Sequence, residues 1–281
     1  MKKLYFDVLA LLTISLSGLL FASPQPVSAT PFVRKTTAKV VKQNGRVSPY
    51  FKFTRNYRTK LILETTQGKP FKRLITIPKG TVISGNLNTN RGKITSVMPG
   101  YVPLSYHLTQ KVAKKYQVGE FNYNVNYSSG ALKRIKRPAY VLPYGQNQLV
   151  FGKPINLWPS RAVHAPAQVT ITSDGFVEYR PYQSFKLGKA ALSYRSRPAS
   201  AAKITHVLKR GANMYLYFRT NLKGVNDKRI HKSGSYQYRL TVRNQHTPYI
   251  YGDRNNDFAT LASFYSLGSQ SYWTNDGTIG D

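Results

Sequence analysis

The chain has 281 residues, with 42 Lys and Arg against 10 Asp and Glu, which gives a formal charge of +32 at pH 7. It contains no cysteine, which excludes thiol nucleophiles, disulfide scaffolds, Cys-ligated zinc and iron–sulfur clusters. Hydrophobic residues make up 41% of the sequence, an ordinary fraction for a globular protein and an argument against wholesale disorder.

The N-terminus has the pattern of a secretory signal peptide. Met1-Lys2-Lys3 precedes an apolar run from Val8 to Phe21, and Val27-Ser28-Ala29 then supplies small residues at a cleavage site. The run is shorter than the roughly 20 apolar residues that span a membrane. We therefore predict that residues 1–29 direct export and are removed, and that the protein is extracellular. No sorting signal follows, so retention at the cell wall would be non-covalent.

Period-2 alternation dominates the rest of the chain and predicts an all-β fold of short antiparallel strands in one or two small barrels or sandwiches. Phe121, Tyr123 and Val125, for example, alternate with asparagines. Asp174-Gly175, between two strand-like runs, is a two-residue hairpin signal. The predicted strands are Lys60–Thr65, Lys72–Ile77, Thr81–Ser84, Lys93–Met98, Phe121–Tyr127, Gln168–Ser173, Phe176–Arg180, Lys203–Leu208, Met214–Phe218 and Tyr236–Val242.

One segment has the spacing of a short C-terminal helix. Asp257 is a candidate cap, Phe258, Leu261, Ala262 and Tyr265 share one helical face, and Gly268 is a stop signal. The same region is acidic, since residues 253–281 carry four Asp against one Arg.

Five prolines between residues 133 and 166 indicate a division of the chain. We predict a basic β module at residues 30–135, a Pro-rich connection at 136–165, and a second β module with an acidic tail at 165–281.

Positive charge is concentrated in the first module, because residues 30–140 carry 22 Lys and Arg and two acids. Self-repulsion on this scale favours a polyanionic partner. Outside a cell the candidates are anionic cell-wall polymers such as teichoic acid, anionic polysaccharides and anionic lipid surfaces. The residues predicted to bind them are those of the two densest cationic runs: Lys111, Lys114, Lys115, Lys133, Arg134, Lys136 and Arg137.

The sequence offers little for catalysis. Its five histidines lack metal-ligand spacing, and the Asp253–Asp257 segment lacks the Gly and Glu that close a calcium loop. Asp174 and Glu178 flank a hairpin turn, where fold geometry explains them better than acid–base chemistry. We predict no catalytic residues, no metal and no cofactor.

Ile77-Pro78-Lys79-Gly80-Thr81 is followed about 20 residues later by Gly100-Tyr101-Val102. The first segment is similar to the turn before a late strand of a bacterial SH3-type cell-wall-binding domain, and the second is similar to the strand that closes its barrel. Residues 60–110 therefore partly resemble that domain. The whole chain is similar to the strongly basic, Tyr-rich secreted surface proteins of lactobacilli and related Gram-positive bacteria. This resemblance implies a location at the cell surface.

These observations predict a secreted, non-enzymatic protein that binds anionic envelope polymers electrostatically, without specific recognition of nucleic acid. Two alternatives stay open. One is a cell-wall-modifying hydrolase with a basic targeting module, and the other is an adhesin that binds glycans.

Overall fold

The computed structural model describes residues 31–65, 70–113, 118–122, 124–154, 164–186, 196–253 and 258–280. In the first half these contain β1 (Pro31–Lys35), α1 (Ala38–Asn44), β2 (Tyr50–Phe53), β3 (Tyr57–Thr65), β4 (Pro70–Ile77), β5 (Val82–Asn90), β6 (Lys93–Pro99), α2 (Tyr106–Ala113), β7 (Val118–Asn122), β8 (Val125–Asn126) and β9 (Leu132–Ile135). In the second half they contain β10 (Gln148–Phe151), β11 (His164–Ala165), β12 (Gln168–Ile171), β13 (Phe176–Arg180), β14 (Gln183–Ser184), β15 (Ser200–Arg210), β16 (Asn213–Phe218), β17 (Lys228–Arg229), β18 (Tyr238–Asp253), β19 (Phe258–Leu267) and β20 (Gln270–Gly280).

The second half forms an eight-stranded antiparallel barrel. Strands β10, β12, β13, β15, β16, β18, β19 and β20 pair in chain order, and β20 returns to β10 to close the sheet. Alternation determines which side chains face inward: Met214, Leu216 and Phe218 of β16 are buried, while Tyr215 and Tyr217 point outward. The interior is a packed core of side chains.

The first half forms a five-stranded half-barrel, in the order β8-β6-β5-β2-β9, beside a three-stranded sheet in the order β4-β3-β7. Phe51 and Phe53 of β2 pack with Ile77, Ile83 and Val97 in a separate core. The predicted all-β class is therefore confirmed.

Two segments that precede the barrel strands in the chain pack against the barrel. β1 pairs with β18, from Pro31 opposite Asp253 to Lys35 opposite Tyr249. Leu142, from the predicted Pro-rich connection, belongs to the barrel core, and β10 lies within the same predicted connection. The predicted domain boundaries stay a prediction.

The predicted C-terminal helix is wrong, because residues 258–267 are strand β19, paired on both sides with β18 and β20. Both faces of β19 are covered: Leu261 packs with Val41 and Ile250, whereas Ala262 packs with Val150 and Trp273. Leu261, Ala262 and Tyr265 are therefore all buried, and this spacing imitates one face of a helix. Cross-strand pairing on both edges overrides the local pattern.

Three local predictions also need correction. The hairpin between β12 and β13 has a three-residue loop, because the Thr172 N–H donates to the Phe176 carbonyl at 2.9 Å, and Gly175 supplies the positive φ of 80°. The single strand predicted at 121–127 is divided between β7 and β8, which lie in different sheets. The strand that the SH3 resemblance implied at Gly100–Val102 is irregular backbone.

Candidate polyanion-binding surface

Four acidic side chains are described by the structure, and all four accept hydrogen bonds from donors within the protein. None of the four is exposed: Glu178 and Asp276 are buried, while Asp174 and Asp227 are half-buried. Acidic side chains outside this set belong to residues whose side chains the structure does not describe. These four carboxylates are therefore directed to partners within the protein.

Asp174 and Glu178 hold the N-terminus of α2. Oδ1 of Asp174 accepts from the Ser105 N–H at 2.8 Å, and its Oδ2 accepts from the Ser105 hydroxyl at 2.5 Å. Oε1 of Glu178 accepts from the Tyr106 N–H at 2.5 Å. Unpaired N–H groups and the helix dipole make this end of a helix a favourable place for negative charge. Both acids of the hairpin therefore make structural contacts with the N-terminus of α2.

Glu178 also forms the one ion pair between side chains that the structure describes, with Nη2 of Arg180 at 3.0 Å from Oε2. Both side chains are almost fully buried, with 2% and 3% exposed. Burial raises the pKa of the Glu178 carboxyl, against the opposing effect of Arg180, and lowers the pKa of Arg180. The pair contributes no charge to the surface.

The remaining two acids are also engaged internally. Oδ2 of Asp227 accepts from the Leu222 N–H at 2.8 Å. Asp276 accepts from the Ser263 hydroxyl, and burial raises the pKa of this carboxyl to about 7, an effect that the hydrogen bond from Ser263 opposes. At neutral pH, burial thus keeps part of the Asp276 population uncharged, which lowers the compensating negative charge further.

The predicted cationic residues of the second run lie on or directly after β9, and all of them are exposed. Lys133 and Arg134 are neighbours on a strand, so their side chains point to opposite faces of the sheet. Nη1 of Arg137 donates to the Pro143 carbonyl at 2.8 Å, which fixes that side chain against the segment entering the barrel. The run is therefore divided between surfaces.

The first predicted run is only partly described. Lys111 lies in α2, but its side chain is outside the described set, and Lys114 and Lys115 fall in the undescribed residues 114–117.

The sequence analysis did not identify the residue that faces Lys133 across the sheet. Lys52 of β2 lies directly opposite Lys133, and both side chains are exposed. Like charges that face each other across two strands repel and destabilise the pair unless an anion lies between them. The sequence contains no local signal for the pairing of Lys52 with β9.

A second cationic face lies on the β3–β4 hairpin. Lys60 is opposite Leu74 and Ile62 is opposite Lys72, so the four side chains lie on one face. Both lysines are exposed, as are 39% of Ile62 and 54% of Leu74. This face combines cations with exposed aliphatic side chains.

A third exposed region lies on the outside of the barrel, where three aromatic rings meet. The centroid distances are 5.5 Å for His206–Tyr217, 5.2 Å for His206–Tyr236 and 5.7 Å for Tyr217–Tyr236. Next to it, the Arg239 guanidinium lies 5.2 Å from the centre of the Tyr215 ring. The predicted strand at Tyr236–Val242 begins at Tyr238 in the structure, so Tyr236 lies in the preceding loop, and its contact with Tyr217 depends on that loop.

Within the described residues, no group of three or more His, Asp or Glu side chains is arranged to hold a metal ion. None of the helices in the described ranges has the length and apolar character needed to cross a membrane. The Asp253–Asp257 segment lies largely outside those ranges.

Comparisons with protein-family models, with curated proteins and with solved structures found no match to this chain.

Proposed function

We propose that this is a secreted, non-enzymatic protein that binds anionic polymers of the cell envelope, teichoic acid or a similar phosphate polymer, through Lys and Arg contacts. The observation that carries the proposal is the arrangement of charge. The four described carboxylates are used inside the protein, whereas cations such as Lys52, Lys133 and Lys136 are exposed. Among the described residues, positive charge is therefore exposed at the surface while the carboxylates are engaged within the protein.

Many weak contacts, rather than one pocket, would supply the affinity. A single exposed ion pair contributes about 0–1 kcal/mol, and salt screens it over roughly 10 Å at 0.1 M ionic strength. A polymer with regularly spaced phosphates can engage several such sites simultaneously, and its bound counter-ions are released on binding. Affinity should therefore fall steeply and continuously as salt is raised.

The test is a salt titration of binding to purified Gram-positive cell walls, performed before and after chemical removal of teichoic acid. The proposal expects release of the protein between about 0.1 and 1 M NaCl, where the Debye length shortens from roughly 10 to 3 Å. It also expects weak binding to stripped walls. Binding that survives both treatments contradicts it and favours a neutral-glycan adhesin. A clear lytic band on a wall-substrate zymogram favours the hydrolase.

An anionic lipid surface is a second candidate partner, supported by the β3–β4 face. Cations beside partly exposed aliphatic side chains suit a membrane interface, where the charge meets headgroups and the aliphatic groups enter the acyl boundary. Co-sedimentation with phosphatidylglycerol vesicles tests this candidate with Leu74→Ser. Its matched control is Val47→Ser, at a residue that is 59% exposed elsewhere on the protein. Equal sedimentation of the two variants contradicts the candidate.

A further inference from the structure

The aromatic cluster on the barrel lies outside the hydrophobic core. Its rings come from His206 of β15, Tyr217 of β16 and Tyr236 of the loop before β18. The inward side chains of β16, Leu216 and Phe218, are both completely buried. His206 is exposed and 44% of Tyr236 is exposed, so the cluster forms part of the outer surface.

The loop that carries Tyr236 is held in place by a hydrogen bond from β15 and by hydrogen bonds within the loop. The Thr205 hydroxyl lies 2.6 Å from the Ser235 carbonyl and 3.0 Å from the Tyr217 carbonyl, so it is within donating distance of both. The Ile230 N–H donates to the Gln237 carbonyl at 2.7 Å, and the Gln237 side-chain amide donates to the Gly234 carbonyl at 3.0 Å. The loop therefore presents an exposed aromatic ring in a fixed position, and a ligand would not have to order it.

Two cations lie on the same face as this ring cluster. Arg239 of β18 is directly opposite Tyr217, and Lys228 of β17 is directly opposite Arg239, so both lie on the outer face with the rings. The Lys228 side chain is exposed. Arg229 is opposite Tyr238 and therefore belongs to the other face of the strand, where its guanidinium donates to the His231 and Lys232 carbonyls.

We propose that His206, Tyr217 and Tyr236 form a subsite on which a sugar ring stacks, so that the polyanionic ligand carries pyranose units as well as anionic groups. Aromatic side chains offer apolar faces to the C–H side of a sugar, and their polar edges bond to its hydroxyl groups. Lys228 and Arg239, which lie on the same face as the rings, hold the anionic groups along the same chain. The proposal rests on the proposed function and narrows its ligand class.

The experiment uses three soluble probes: heparin, which has sulfate groups on pyranose rings; polyphosphate, which has charge without rings; and dextran, which has rings without charge. Binding of each is measured by calorimetry for the wild type and for Tyr236→Ala. The control variant is Tyr182→Ala, which removes a ring that is 60% exposed and stacks on His164 at 5.5 Å.

The subsite predicts that Tyr236→Ala weakens heparin binding about tenfold, the lower end of the effect that loss of one base-stacking ring has on binding of single-stranded nucleic acid. Polyphosphate binding should stay within about twofold of the wild type, and Tyr182→Ala should leave both polyanions unaffected. Tyr236→Phe keeps the ring and should retain heparin binding. Dextran should bind far more weakly than heparin, because it engages the rings alone.

Equal losses for heparin and polyphosphate, or equal effects of the Tyr236 and Tyr182 substitutions, would overturn the subsite. Loss of heparin binding in Tyr236→Phe would overturn it too, since stacking does not need the hydroxyl. If the wild type binds neither polyanion, the proposed function itself fails, which is a separate outcome. Near-UV circular dichroism and the melting temperature establish that each variant is folded.

Discussion

The Tyr106 N–H donates a 2.5 Å hydrogen bond to Oε1 of Glu178, so a carboxylate from a barrel strand caps a helix that precedes the barrel by some 40 residues of chain. Asp174 caps the same helix end through Ser105. The two acids therefore connect α2 to the β12–β13 hairpin. Acidic residues are scarce in this chain, and these two stabilise the contact between a helix and the barrel.

Glu178→Gln should lower the free energy of unfolding by about 3 kcal/mol or more, because it leaves the buried Arg180 guanidinium without its counter-charge. The measurement is the urea midpoint at pH 7. Asp227→Asn is the matched control: Asp227 is half-buried, and an amide oxygen can still accept from the Leu222 N–H. The control should cost less than about 1 kcal/mol, and equal losses would contradict the role assigned to the ion pair.

Alternation carried most of the fold prediction and failed at specific residues. It predicted a strand at Met214–Phe218, and in β16 the alternate residues Met214, Leu216 and Phe218 form the buried face. It failed at Leu261 and Ala262, because both faces of β19 are covered and two consecutive residues are therefore buried in different clusters. Closure of the sheet by β20 on β10 depends on pairing between distant residues, and a single sequence contains no local signal for such pairing.

The candidate site was predicted in composition but not in geometry. The sequence identified the cationic run at 133–137, since density of charge is a property of the sequence itself. It could not show that Lys133 and Arg134 diverge, or that Lys52 meets Lys133, because these facts follow from the pairing of β2 with β9. The inward direction of the carboxylates is a tertiary property for the same reason.

Lys133→Glu should have opposite effects on stability and on binding. A glutamate opposite Lys52 replaces cross-strand repulsion with attraction, which should stabilise the fold by about 0.2–1 kcal/mol. The same change removes a cation from the proposed binding surface and should weaken adhesion to teichoic-acid-containing walls. Thermal unfolding and a wall-binding isotherm measure the two effects.

Lys79→Glu is the matched control for this substitution, because it makes the same change in net charge at another exposed lysine. If the two variants lose the same wall affinity, binding depends on total charge alone and the Lys52–Lys133 pair has no special role. If Lys133→Glu is less stable than the wild type, the inferred repulsion is absent.

Asp276 should make the protein less stable as the pH rises from about 4 to 7. Burial raises the pKa of this carboxyl from 3.8 to about 7, so the folded state favours the protonated form. This contribution to stability is present below the unfolded pKa and is lost as the pH passes through the folded pKa, up to a total of about 4 kcal/mol. Asp276→Asn should remove that part of the pH dependence and should be the more stable protein at pH 8.

The comparison is made on melting temperatures of the wild type and Asp276→Asn across pH 4–8, since other groups titrate equally in both. Ser263→Ala gives an independent readout. The Ser263 hydroxyl donates to the carboxylate and lowers its pKa, so its removal should shift the stability loss to higher pH. Parallel pH profiles for the wild type and Asp276→Asn would contradict the assignment.

Gly145 lies in the segment that precedes β10 and packs closely against strand β20. Alanine should therefore not be tolerated at this position. Its φ is 72°, and an added Cβ would collide with the Asn275 carbonyl and lie 3.0 Å from Cα of Asp276. Gly130 has a similar φ of 67° but open space around it, so Gly130→Ala isolates the backbone strain, about 1 kcal/mol. We expect Gly145→Ala to cost several times more than Gly130→Ala in urea unfolding, because backbone atoms of β20 must move. Equal costs would show that the close approach of Gly145 to β20 contributes nothing to stability.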